Sequence, residues 1–292
     1  MRIPVAVLLF IATTVSVGAP MHAQRGAEPL QAPGPIPEVL RIGVVITPDV
    51  LLNELLPTFT EQTGIRVSMQ ITEGVYDLAR EGKIDMVIAH YGHVGTEAFM
   101  ADGLGRWPRM VFSNQAVLVG PASDPVGIRG LTDAADAFRR IAQRGGEFFV
   151  NNAPTEKYLS EVLWQASGAP PKQNWHVDLG LRDQAAIEAA ARRGAYTLWG
   201  LVPFVRLQQQ RPELGMEALV VGDATFQRVM VSIIMNPVRL PGTNYEAALA
   251  FERFLLDPKT QARIRQFRHH GLQSQTWWPA GQQNAGAELT QF

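Results

Sequence analysis

The 292-residue chain contains no cysteine. Disulfides, thiol nucleophiles and thiolate metal sites are therefore excluded, and stability has to come from a sizeable apolar core. An excess of charge of one sign is missing too. Against 26 Lys and Arg stand 27 Asp and Glu, interspersed and without a long basic block, so the footprint of a nucleic-acid binder is absent. Beyond Val17 no run of about 18 apolar residues occurs, and no spanning helix is expected there. There is no Gly-x-Ser-x-Gly elbow, no His-Glu-x-x-His and no phosphate-cradling glycine loop. Hydrolase chemistry thus has no motif behind it, and no catalytic residue, cofactor or metal site is assigned.

What is present begins with a leader. Arg2, an apolar run from Val5 to Val17 and then Pro20-Met21-His22-Ala23 read as a secretory signal peptide, residues 1–23, cleaved after Ala23. An uncleaved anchor is the alternative, but the apolar run is shorter than the ~20 residues a span needs, and Gly18 and Pro20 interrupt its end. Export places the mature chain in the periplasm. With no cysteine to carry a lipid at the new terminus, it is expected to be soluble. Residues 24–38, rich in Pro, Gly and Ala, read as a flexible lead-in, and 281–292 as a tail of the same character.

Between them the apolar periods alternate. Val39–Ile46 is a buried strand, and Thr47-Pro48-Asp49 opens a helix whose apolar face runs to a stop at Gly64. Ile65–Met69 alternates as a second strand. A short helix starts at Gly74 and ends near Gly82, and Ile84–Ala89 is a third strand. This order predicts an α/β parallel sheet, with ligands beyond the carboxyl ends of its strands. Those ends are the loops at Thr47-Pro48, Thr72-Glu73-Gly74 and His90-Tyr91-Gly92.

Met110–Gly120 is extended, with Ser113-Asn114-Gln115 in its middle, as at an edge, a crossover or a pocket. A second cycle follows: helix Leu131–Arg144 capped by Thr132-Asp133, strand Glu147–Asn151, helix Pro154–Ser167, strand Trp175–Leu179, helix Asp183–Arg193 and strand Tyr196–Leu198. Met230–Met235 is a late buried strand, and Tyr245–Leu256 and Pro258–Phe267 are helices. Two cycles with a late return predict two lobes, 39–118 with 229–280 and then 119–228. Gln115–Val119 and Arg228–Val231 would be the crossing strands. A single larger sheet is the alternative.

Several stretches carry a family likeness. They are Leu55-Leu56-Pro57 to Phe59 with Thr63-Gly64-Ile65-Arg66-Val67, Ala79 through Val87, Val117 through Ile128, Gly194-Ala195-Tyr196-Thr197-Leu198, and Asn244-Tyr245 through Asp257-Pro258. In this order and spacing the chain resembles the tungstate-binding periplasmic proteins of ABC importers, of the type II solute-binding superfamily, from about Arg41 to Pro279. The resemblance implies a two-lobe α/β fold with a ligand cleft between the lobes, closing by hinge motion. It implies a small solute, tungstate or molybdate oxyanion, delivered to an ABC permease in the membrane, without catalysis. A monomer is expected.

The departures concern the ligand. The family's Thr- and Ser-rich first loop is Val45-Ile46-Thr47-Pro48 here. Its Ser-Arg-Gly-Asp segment is replaced by Val150-Asn151-Asn152-Ala153-Pro154-Thr155-Glu156-Lys157, so the arginine implied to face an oxyanion is gone. Its Thr-Asp-Arg after Tyr196-Thr197-Leu198 is Trp199-Gly200-Leu201. Lys157 is the candidate replacement, a point charge rather than a planar fork. A non-oxyanion ligand serving an envelope sensor, or a periplasmic enzyme, are the alternatives.

The candidate ligand-binding residues are Thr47, Thr72, Gly74, His90, Tyr91, Asn114, Asn152, Thr155, Thr197 and Trp199. Thr47 either meets the ligand or caps its own helix. Asn114 meets either ligand or backbone, and Trp199 either stacks on a ligand or fills core. His90 and His93 lack a carboxylate cluster and read as loop residues rather than a metal pair. His269-His270 and Trp277-Trp278 read as packing and surface features, and Asp85 and Asp124 are isolated in sequence.

Overall fold

The β-branched run near residue 40 forms β1 (Val39–Val44), with Leu40, Ile42 and Val44 fully buried. In this computed structural model the described residues are 39–45, 48–269 and 275–281. The leader at 1–23, the lead-in at 24–38, Thr47, His270 and the tail beyond 281 lie outside them. α1 (Asp49–Thr63) carries Asp49 in its first turn, where a carboxylate suits the positive end of the helix dipole. Gly64 ends it at φ 73°, its N–H donating to Thr60 O, a left-handed cap that glycine adopts without strain. β2 (Arg66–Ile71), α2 (Val75–Arg80) and β3 (Met86–His90) complete a parallel β2–β1–β3 unit, Val39 opposite Arg66 and Ile42 opposite Met86.

The chain continues through α3 (Thr96–Ala101) and the 13-residue β4 (Arg109–Pro121). There follow α4 (Ala134–Gln143), β5 (Phe148–Phe149), α5 (Pro154–Ala166), β6 (His176–Val177), α6 (Asp183–Arg193) and β7 (Tyr196–Gly200). Next come α7 (Leu201–Gln210), β8 (Met216–Val220), β9 (Gln227–Ile234), α8 (Tyr245–Leu256), α9 (Pro258–Gln266) and β10 (Trp278–Pro279). Strand order is β2-β1-β3-β9-β4-β7-β5-β6, with β8 and β10 also pairing on β4. β9 lies antiparallel between β3 and β4, so the last long strand closes the first three.

Hydrogen bonding is continuous through β4, but apolar packing changes along it. Val111 and Phe112 belong to a core with α1, β3 and α8; Ala116 and Leu118 face a second core with α4 and β5; Val117 and Val119 face a third with α6 and α7. Alternation along the strand sends neighbours to opposite faces. Four elements are absent from the sequence expectation: α3, α7, β8 and β10. Pro203 falls in the first turn of α7, where its missing N–H leaves no helical bond unmade. The strands expected at 147–151 and 175–179 shorten to two residues each; β6 is the sheet's edge and pairs only with β5, which pairs on both sides over the same two residues.

The two isolated aspartates anchor backbone. Asp85, with no exposed surface, accepts from Arg41 N at 2.9 Å, Arg41 Nε at 3.0 Å, Arg41 Nη2 at 2.5 Å and Asn244 N at 2.8 Å. The Asp85 carboxylate in turn holds the Arg41 guanidinium above its usual range. Asp124 accepts from Arg129 N at 2.7 Å and from Tyr196 Oη at 3.1 Å. Burial, aided by Asp124, pushes the Tyr196 phenol up to about 12. Trp277, Trp278 and His269 are buried, Trp277 standing edge-on to Phe112 at 5.4 Å.

Candidate ligand cavity

Strand ends and helix starts converge on one cavity of about 430 Å³. From the β1–β3 side come Val45, Glu73 and the segment His90 to Val94, which leaves β3. Facing them are the first turns of α5 (Pro154, Thr155, Glu156) and α6 (Asp183, after Arg182), and Trp199-Gly200 at the β7–α7 junction. Two residues form the floor: Asn114 of β4 and Arg228 of β9, directly opposite in the antiparallel register. Opposed residues in such a pair share a face. A neighbouring cavity of about 510 Å³ shares His90, Tyr91, Thr155 and Arg228 and extends to Tyr158 and Gln227.

Arg228 donates through Nη2 to Thr155 Oγ1 at 2.6 Å and through Nη1 to Glu156 Oε1 at 3.4 Å. The Arg228 side chain keeps 19% of its exposure and that of Glu156 only 6%, and both charged groups are deeply buried. Burial lowers the Arg228 pKa from the ordinary guanidinium value, with Glu156 and then Glu73 opposing; burial raises that of Glu156, with Arg228 opposing. In both, desolvation outweighs the partner's charge. A guanidinium still keeps its proton there.

His90 is held well below its usual 6.5, first by burial and next by the Arg228 charge, while the Asn114 side chain beside it works the other way. It is therefore a neutral imidazole at pH 7. Among the described residues His90 Nε2 and Asn114 Oδ1 have no hydrogen-bond partner, although both atoms are buried. Orphaned polar atoms on the wall of a cavity are open to a ligand or to water. His93 is engaged elsewhere, its Nε2 lying 2.9 Å from Glu73 O.

Five of the sequence candidates line the cavity: His90, Tyr91, Asn114, Thr155 and Trp199. Four do not. Thr72 Oγ1 accepts from Gly74 N at 3.1 Å within the turn that starts α2, and both residues stay off the wall. Asn152 turns to Asp178 Oδ1 at 2.7 Å and to Leu181 O at 3.3 Å. Thr197 sits inside β7 with no exposed surface. Thr47 lies outside the described residues. Lys157 does not replace the missing arginine, because its Nζ donates to Asn152 Oδ1 at 2.7 Å on the exposed flank of α5. One residue further round a helix is about 100° away from the face that Glu156 presents.

The sequence reading did not place Arg228, Glu156, Arg182 or Asp183 on the cavity wall, where they lie. The usable signal for Arg228 was its place as the charged first residue of a segment already expected to cross between lobes. Among the described residues no group of three His, Asp or Glu side chains is placed to hold a metal ion, and no helix is long and apolar enough to cross a membrane. The Thr155 hydroxyl faces a guanidinium rather than a base, an arrangement for holding and not for activating a nucleophile. A guanidinium, an unpaired imidazole nitrogen, an amide and three helix starts together suit a small polar or anionic solute.

Comparison with known proteins agrees with this chemistry. The profile of the family described as bacterial extracellular solute-binding protein matches residues 40–270. A protein of Haloferax volcanii, named as an anion-binding protein of an ABC transporter, is 33% identical over 247 residues, 83% of this chain and 70% of that one. The tungstate-binding protein TupA of Peptoclostridium acidaminophilum is 26% identical over 267 residues, 90% of this chain and 91% of that one. The structure of the tungstate-binding TupA from Desulfovibrio alaskensis G20 matches with a TM-score of 0.72 at 26% identity, over 82% of this chain and 98% of that one.

Proposed function

The chain belongs to the bacterial extracellular solute-binding proteins and has the type II periplasmic binding fold, and on that premise we propose that it is the periplasmic receptor of an ABC importer, taking an anion at Arg228. The observation that carries the reading is a guanidinium lining the cavity floor, next to an unpaired His90 nitrogen and an Asn114 amide. The names of the relatives, for anions and for tungstate, support the ligand class. Lobe I is 39–118 with 229–280 and lobe II is 119–228, which the change of apolar core along β4 supports. Closure bends β4 and β9 where Asn114 and Arg228 face each other, so the ligand seats on the hinge. The partner is a membrane permease, and the receptor, a monomer, returns its ligand unchanged.

Isothermal titration of the chain from residue 24 with tungstate, molybdate, sulfate and phosphate tests this. Arg228→Gln removes a desolvated charge and is expected to cost about 2–5 kcal/mol of anion binding, about 30- to several-thousand-fold in Kd. Unchanged affinity in the variant would refute the role of Arg228. No heat with any of the four would remove the anion reading and leave family and fold in place.

A further inference from the structure

The charges around the cavity are not of equal weight. Glu73, Arg182 and Asp183 keep 66%, 64% and 51% of their side-chain exposure, so water and salt screen them. Arg182 Nε also donates to Asp183 at 2.9 Å. What remains at depth is one guanidinium and one carboxylate, Arg228 and Glu156, held together at 3.4 Å. A ligand on Arg228 therefore meets a net charge near zero, with an acceptor-only group beside its own oxygens.

We infer that Glu156 is a specificity-determining residue of this cavity, selecting anions that carry their own O–H over fully deprotonated oxyanions. The inference rests on the anion reading above. A carboxylate offers about four lone-pair sites. The contact with Arg228 uses one of them. An anion with an O–H donates to a remaining site while its other oxygens accept from Arg228, giving charge-assisted bonds on both sides. Sulfate, molybdate and tungstate carry no proton at neutral pH and bring only acceptors. Against Glu156 they set lone pair on lone pair and charge on like charge, a built-in repulsion of the kind that produces specificity. The neighbouring Asn114 amide, 3% exposed, lies on the same wall beside His90.

The test is titration at neutral pH of wild type and Glu156→Gln with phosphate and arsenate, which keep an O–H, and with sulfate, molybdate and tungstate, which do not. Wild type is expected to bind phosphate or arsenate about tenfold or more tighter than any of the three deprotonated dianions. In Glu156→Gln, whose amide can donate, that ratio should fall by about tenfold or more. Equal weakening of every anion by the variant would show that Glu156 only positions Arg228, and would overturn the inference. A wild-type preference for the deprotonated set would do the same. If no anion of either set binds, the anion reading itself fails and the inference with it. Should Glu156→Gln not fold, the wild-type order of affinities decides alone.

Discussion

Asp85→Ala makes the strongest structural prediction, because all four hydrogen bonds to the lost carboxylate are known. Two come from the Arg41 guanidinium, whose side chain keeps 37% exposure and can turn to water. The other two come from the backbone N–H groups of Arg41 and Asn244, the latter buried and unable to do so. Leaving a buried donor unpaired costs about 1–3 kcal/mol each. With the buried Asn244 donor near the top of that range and the part-buried Arg41 donor near the bottom, the two together give about 4 kcal/mol, within the range for breaking a buried charged pair. Asp85→Asn keeps an acceptor for one of these donors and should lose about half as much. For a domain of this size about 4 kcal/mol corresponds to a fall in Tm of roughly 10 °C. Urea and thermal unfolding followed by circular dichroism measure it. An Asp85→Ala loss under about 1 kcal/mol, or an asparagine worse than the alanine, would refute the accounting. Anion affinity should stay unchanged in the surviving folded fraction, because Asp85 precedes β3 at the end away from His90.

Two further predictions concern stability. His90 is held below 6.5 in the folded protein, so on acidification the unfolded chain takes up a proton that the folded one refuses. Its contribution is complete above about pH 6.5 and is lost as pH falls towards the folded value. Wild type should therefore lose more Tm than His90→Gln between about pH 7.5 and 5.5; His176 and His269, also shifted down, remain in both and cancel. Parallel profiles would contradict this. At Gly120 an added Cβ would lie 2.5 Å from Tyr196 Cδ1 and 2.6 Å from Leu219 Cδ1. Gly120→Ala should destabilise by about 1–3 kcal/mol in denaturant melts, and a neutral result would mean that the Tyr196 ring moves aside freely.

Periodicity read the β1–β3 half well, because each strand there is a short β-branched run ended by glycine or proline. It failed at α7, where Leu201-Val202-Pro203-Phe204 follows β7 without a break and proline reads as a stop unless the helix start is known. At the site, residues carried by local grammar were found: His90 and Tyr91 at a strand's end, Thr155 at a helix start and Asn114 inside a strand. Arg228 was legible only as part of a crossing strand. Its pairing with Asn114 and its bonds to Thr155 and Glu156 join residues more than 70 positions apart, which no local pattern encodes. Lys157 shows the reverse error, a charge in the right segment on the wrong side of its helix.

The position of β9 also dictates the order in which the protein can be completed. β3 pairs on one side with β1, made early, and on the other with β9, made after most of the chain. The Asp85 carboxylate likewise waits for Asn244, 159 residues further on. A nascent chain therefore holds an unpaired, apolar sheet edge from the completion of β3 until β9 is made, and such an edge invites pairing with other chains. That exposure of the N-terminal part ends only when β9 is in place.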